Sequence, residues 1–165
     1  MTSPHIHVRV QNSTATICIQ GRATCMLGPG LRAFILRSAA DGVRHFEIGL
    51  DACEYMDSTI LGALAMLAMG QRDGRWSVEL LNTPPRVLDQ LTEMGLRPCF
   101  ALAARPVPSP ETMTPLPAAP AAELAGTVRE AHVALGRIDP ANVARFAGVL
   151  EALDGEPPGP RGRKT

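Results

Sequence analysis

The chain has 165 residues, enough for one ordinary domain plus an appendage. Sixteen basic residues balance sixteen acidic ones, so no whole-chain charge draws it to nucleic acid or to an anionic membrane. With 45% hydrophobic but only 4% aromatic residues, a sizeable core must be built from Ala, Leu, Val, Ile and Met.

Residues 5–11 alternate, with Ile6, Val8 and Val10 on one face and His5, His7, Arg9 and Gln11 on the other, which predicts a half-buried strand. Asn12-Ser13 is a turn signal, and Thr14 to Gln20 is a second strand rich in β-formers, so the two form an antiparallel hairpin. A loop from Gly21 to Gly30 leads to helical spacing at Leu31, Phe34, Ile35 and Ser38, ended by Asp41-Gly42. His45 to Leu50 is a third strand, Asp51 to Met56 a loop, and Ser58 to Arg72 a nearly all-apolar helix. Trp76 to Leu81 is a fourth strand, parallel to the third. A helix with an apolar stripe of Val87, Leu88, Leu91 and Met94 follows, then a short strand at Phe100 to Ala103.

Composition changes at Arg105. Six prolines between 105 and 120 predict a semi-extended linker, residues 105–122. It separates a first domain, 1–104, from two helices at 123–154 marked by Leu124, Val128 and Leu135 and by Val143, Phe146, Val149 and Leu150. A helical hairpin of this size is not stable alone, so it docks on the first domain or dimerises. Residues 155–165 are a Pro/Gly tail with Arg161, Arg163 and Lys164, expected to be disordered. Alternating strands and helices give an α/β fold, a mixed β-sheet of four to five strands with helices packed on it.

No basic start followed by an apolar stretch is present, and the longest apolar run, Ile60 to Met69, falls short of the roughly 20 residues that span a bilayer. The expectation is a soluble, cytoplasmic protein with no membrane insertion. Cys18, Cys25, Cys53 and Cys99 form no Cys-x-x-Cys pair and lie in or beside apolar runs; they read as small buried hydrophobes in a reducing compartment. His5 and His7 share a strand face and read as an exposed face rather than a metal pair; no metal and no cofactor are expected. Gly28-Pro29-Gly30 lacks the Lys and spacing of a phosphate loop and reads as a turn. His132 with Glu130 reads as the solvated face of an amphipathic helix. Met56, Met66, Met69 and Met94 read as core, although Met56 beside the next motif can also be partner surface. No nucleophile–base–acid arrangement emerges, so an enzyme is not expected.

The informative segment is Tyr55-Met56-Asp57-Ser58-Thr59-Ile60-Leu61-Gly62. Asp57 is placed to cap the helix by accepting from its first free N–H groups. Ser58 and Thr59 then lie in the first turn, where a phosphate of about −1.5 to −2 charges meets free N–H groups and the positive end of the helix dipole. From spacing alone an ordinary helix start is the favoured reading of the same residues, and a cap can also be a switch.

Leu50-Asp51 followed by Met56-Asp57-Ser58-Thr59-Ile60-Leu61-Gly62 resembles the signature of the STAS (anti-anti-sigma factor) domain family, and the element order matches over roughly residues 5–103. The resemblance implies a STAS-like sheet, Ser58 as phosphate acceptor (Thr59 less so), Asp57 as cap, and Leu61 and Gly62 as helix-packing positions. It implies an anti-sigma factor that is also a Ser kinase as the partner, released on phosphorylation, with a phosphatase to restore binding. Contact would run through Met56, Asp57, Ser58, Thr59, Ile60 and Gly62 and through Arg22 and Thr24 of the Gly21–Pro29 loop. Ile60 stands where many members have Gly, which stiffens the first turn and makes the surface greasier. The alternative is a constitutive, unphosphorylated adaptor subunit of a lipid-transport ATPase or signalling assembly, with the hairpin as a second interface, including that of a homodimer.

Overall fold

Ile6 and Val8 are buried on one face of strand β1 (His5–Gln11), and β1 pairs antiparallel with β2 (Thr14–Ala23) through a turn in which Asn12 takes φ +57°. The computed structural model describes residues 3–155. After β2 come α1 (Gly28–Ala40), β3 (His45–Gly49), β4 (Cys53–Met56), α2 (Ser58–Arg72), β5 (Ser77–Leu81), α3 (Pro85–Glu93) and β6 (Ala101–Ala103). The C-terminal part contributes β7 (Thr114–Pro115), α4 (Ala121–Ile138), α5 (Ala141–Arg145) and α6 (Ala147–Asp154).

The sheet order is β6-β5-β3-β2-β1-β7, with β4 beside the far end of β2. The pairs β2–β3, β3–β5 and β5–β6 are parallel, as the strand–helix–strand order requires. The mixed α/β sheet is therefore the expected one, with two short strands more than the sequence revealed. The first is β4, in a stretch that reads as loop. At Gly21, φ +69°, the register of β2 shifts, and Arg22 and Ala23 leave the partnership with β3 for Tyr55 and Met56 of β4. The second is β7, inside the Pro-rich segment. Leu116 N–H donates to the Ile6 carbonyl at 2.8 Å, and Met113 is 9% exposed. Residues 105–120 run extended on either side of a single 3₁₀ turn at Pro110–Thr112, but they lie against the sheet.

The core is aliphatic: Ile17, Ile19, Ile48 and Leu80 from the strands meet Leu31 and Ile35 of α1 and Leu61, Leu64 and Leu67 of α2. The single tryptophan, Trp76, stands edge-on to Phe46 with ring centroids 5.3 Å apart and donates to the Leu67 carbonyl at 2.9 Å. Only Met66 and Met69 escape full burial between Thr59 and Gly70. A helix apolar all round needs cover on both sides. The sheet supplies one side; α4 supplies the other, and α2–α4 is the most extensive contact between any two elements. The hairpin thus docks in cis on the first domain. It contains three helices rather than two, because the second one breaks at Phe146. The tail from 156 onward lies outside the described residues.

Candidate functional site

β4 delivers the chain to the start of α2. Its last residue, Met56, is clamped by the Gln90 side chain of α3, which accepts from Met56 N–H at 3.1 Å and donates to the Met56 carbonyl at 2.9 Å. The next residue, Asp57, is extended and caps α2. Its Oδ1 accepts from the N–H groups of Thr59 and Ile60, each at 3.0 Å, and its Oδ2 accepts from Cys25 N–H at 2.6 Å. Its own N–H donates to the Ala23 carbonyl at 3.0 Å. One carboxylate therefore ties the helix start to the 22–25 loop, and such a cap stabilises by about 0.5–2 kcal/mol. The N–H groups that a phosphate on Ser58 was expected to meet are largely taken by Asp57. What remains for added charge is the helix dipole.

Ser58 is half-buried, and its Oγ lies 2.8 Å from Nε2 of His132 on α4. The other ring nitrogen, Nδ1, is 2.6 Å from the Val128 carbonyl. A carbonyl only accepts, so Nδ1 carries the proton, and in the neutral ring Nε2 accepts from the Ser58 hydroxyl. His132 is 4% exposed and stands edge-on to Phe146, centroids 4.6 Å apart. This corrects the expectation of a solvated His132: the ring is the inner, not the outer, face of α4. Its neighbour Glu130 does face outward and pairs with Arg32 of α1, whose Nη2 donates to it at 3.1 Å.

The close fit of α4 depends on glycines beneath it. A Cβ added at Gly62 would overlap Ala131 of α4. One at Gly28 would stand 2.9 Å from Thr59 Cγ2 and 3.3 Å from Thr127 Cγ2. Gly28 and Pro29 open α1, so the Gly-Pro-Gly turn reads in the fold as a helix start.

The residues expected to meet a partner separate into three groups. Arg22 and Thr24 are exposed beside Asp57, with the Arg22 guanidinium 4.4 Å over the Tyr55 ring. Asp57 and Ser58 are half-buried. Met56 and Ile60 are 0% exposed and Thr59 is 3% exposed, while Gly62 lies under Ala131. Met56 and Ile60 are thus core residues rather than contact surface, and Ile60 adds no grease to the first turn. Thr59 cannot accept a phosphate in this conformation. Sequence periodicity gave no means of seeing the contact of Ser58 with a residue 74 positions away.

Cys18 and Cys53 are buried, and burial pushes both thiols up to about 11. His45, Glu47 and Glu79 gather on the sheet, where the Arg105 guanidinium binds Glu47 at 2.8 Å and also Glu79. That Arg is the cation of the cluster, and its two carboxylates raise its pKa further. The rings of His5 and His7 stand 5.8 Å apart.

Chemically, the arrangement pairs a hydroxyl with an imidazole at a helix N-terminus. The two N–H groups that would stabilise an oxyanion there are engaged by Asp57.

Residues 6–101 match the sequence family described as "Mlab, STAS domain". No curated protein matches the chain. Among solved structures, the unphosphorylated form of the anti-sigma factor antagonist SpoIIAA is similar, with a TM-score of 0.54 and 20% identity over 59% of this chain and 87% of that one. The family match ends at 101, so β7 and the helices α4–α6 lie beyond it. No helix among the described residues is long and apolar enough to cross a membrane.

Proposed function

The chain belongs to the STAS domain family, and from that premise we propose that it is a regulatory protein-binding module, not an enzyme, that presents the start of α2 to an anti-sigma factor with Ser-kinase activity. The observation that carries this reading is the placement of Ser58: a hydroxyl in the first turn of a capped helix, beside the exposed Arg22 and Thr24. The SpoIIAA structure is named as an anti-sigma factor antagonist in its unphosphorylated form, which supports the same role and a phosphorylated counterpart. Phosphate on Ser58 places about two negative charges where the partner sits and breaks the contact by repulsion and desolvation. A phosphatase reverses it.

A second reading is favoured by the sealed hydroxyl. With Ser58 bonded to His132 under α4, the protein can serve as a constitutive, unphosphorylated adaptor in a transport or signalling assembly. Intact-mass and phosphopeptide mass spectrometry of the protein from its native cells separates the two. A phosphate on Ser58, absent in Ser58→Ala, is expected for the switch. A chain unmodified through growth and stress overturns the switch and leaves the adaptor.

A further inference from the structure

We propose that the outer face of α2 is a helix-docking groove, that α4 fills it as an internal stand-in for the partner, and that the partner enters with a helix of its own by displacing α4. This deepens the reading above by naming the kind of partner and what controls its access; it rests on that reading for the partner's role, not for the groove.

Three observations carry it. The first is shape. Gly62 and Gly28 leave a channel in which backbones approach closely, and α4 presents the small residues Ala131 and Thr127 there. A helix with a small residue at this point is what the channel admits. The second is polar selection at its margins. Ser58 donates to the residue after the small one, His132, and Arg32 pairs with the residue before it, Glu130. The partner helix therefore carries a carboxylate, a small residue and a hydrogen-bond acceptor in succession. The third is that the occupant is built to leave. Its inner surface buries the polar ring of His132, and beside its C-terminal end Asn142 of α5 is buried with an Oδ1 that has no partner among the described residues. Gly126 and Gly136 weaken the isolated helix, and its first residue follows Pro120 with no side-chain cap. The Pro-rich connection holds α4 near the groove, where its effective concentration is high. A free helix competes only when it binds better or when α4 is loosened. The open part of the surface, Arg22, Thr24 and Met26, flanks the covered part and gives a partner its first foothold.

The groove also explains why Ser58 can be both sealed and a switch. No phosphoryl group fits between Oγ and Nε2 at 2.8 Å, so modification and α4 docking exclude one another unless His132 moves.

The test uses the full chain and a fluorescein-labelled synthetic peptide of its own residues 119–155. Ala131→Leu in the full chain needs the space of Gly62 and drives α4 off while leaving the first domain untouched. The expected result is saturable binding, one peptide per chain, at least tenfold tighter to Ala131→Leu than to the wild type, and lost when Gly62→Leu is added. Equal binding to the two proteins, or binding that survives Gly62→Leu, overturns the groove. Should Ala131→Leu lose hydrogen-exchange protection in its sheet, Leu135→Ala loosens α4 more gently, and the same order with a smaller gain is expected; no gain overturns the proposal. Phosphorylation does not enter this measurement, so an unmodified Ser58 removes the switch without touching the groove, and a failed peptide removes the groove without touching the switch.

Discussion

Gly62 of α2 and Ala131 of α4 meet with no room for a second methyl: a Cβ on Gly62 would overlap the Cβ, Cα and carbonyl carbon of Ala131. The interface between the STAS domain and its C-terminal helices turns on this point. Gly62→Leu forces the two helices apart, and overpacking of this kind costs about 1–3 kcal/mol. Hydrogen exchange followed by mass spectrometry should show residues 121–154 losing protection while β2, β3 and β5 keep theirs. Equal loss in the sheet would show that α4 is part of the core rather than a cover.

Asp57 holds three N–H groups from two segments of chain. Asp57→Ala removes them all and should lower stability by about 0.5–2 kcal/mol in urea unfolding, the usual range for a lost N-cap. Asp57→Asn keeps one acceptor oxygen and should recover most of that. An unaltered midpoint for the alanine variant would mean that water replaces the cap without cost.

Ser58 and His132 should be energetically coupled. Ser58→Ala removes the donor and His132→Phe removes the acceptor while keeping a ring against Phe146. The double-mutant cycle is expected to give a coupling of roughly 0.5–1.5 kcal/mol. A coupling near zero would place the bond outside the forces that dock α4.

The cysteines offer a measurement in pH. Cys18 and Cys53 are buried with thiols raised to about 11, whereas Cys25 and Cys99 are half-buried. Iodoacetamide at pH 8 should label Cys25 and Cys99 first and reach Cys18 and Cys53 only on unfolding. The sign for stability follows from the same shift. Below about 9 both states hold the proton and nothing changes. As pH rises from about 9 to about 11 the unfolded chain ionises first, so stability falls across that window. Cys18→Ala/Cys53→Ala should flatten the fall, and an equal slope in that variant would rule the two thiols out as its source.

The alternation of Ile6, Val8 and Val10 and the β-formers of 14–19 made the first hairpin legible, and the Asp-Ser-Thr start gave α2 its residue limits. β4 was not legible, because four residues are too few for a pattern and its pairing depends on the turn of β2 at Gly21. His132 was placed on the wrong face because the period of a helix reveals that it has two faces without saying which meets a neighbour. A better signal was present in α2 itself. From Thr59 to Gly70 it carries no charged residue, and a helix so apolar cannot leave one side to water. That observation predicts a cover for the Ser58 face and, with a helical hairpin further along the chain, names it.

The Pro-rich segment has a consequence for how copies of this protein behave together. β1 would be a bare sheet border, a row of unpaired amides ready to accept a strand from another molecule. β7 lies along it, and β7 is a poor template for further growth: Pro115 and Pro117 have no N–H to offer, and that of Leu116 is spent on Ile6. The same prolines that made residues 105–120 look like a passive spacer blunt this border of the sheet. Strand addition from another molecule is thereby disfavoured at this border, where His7 and Val8 are already paired.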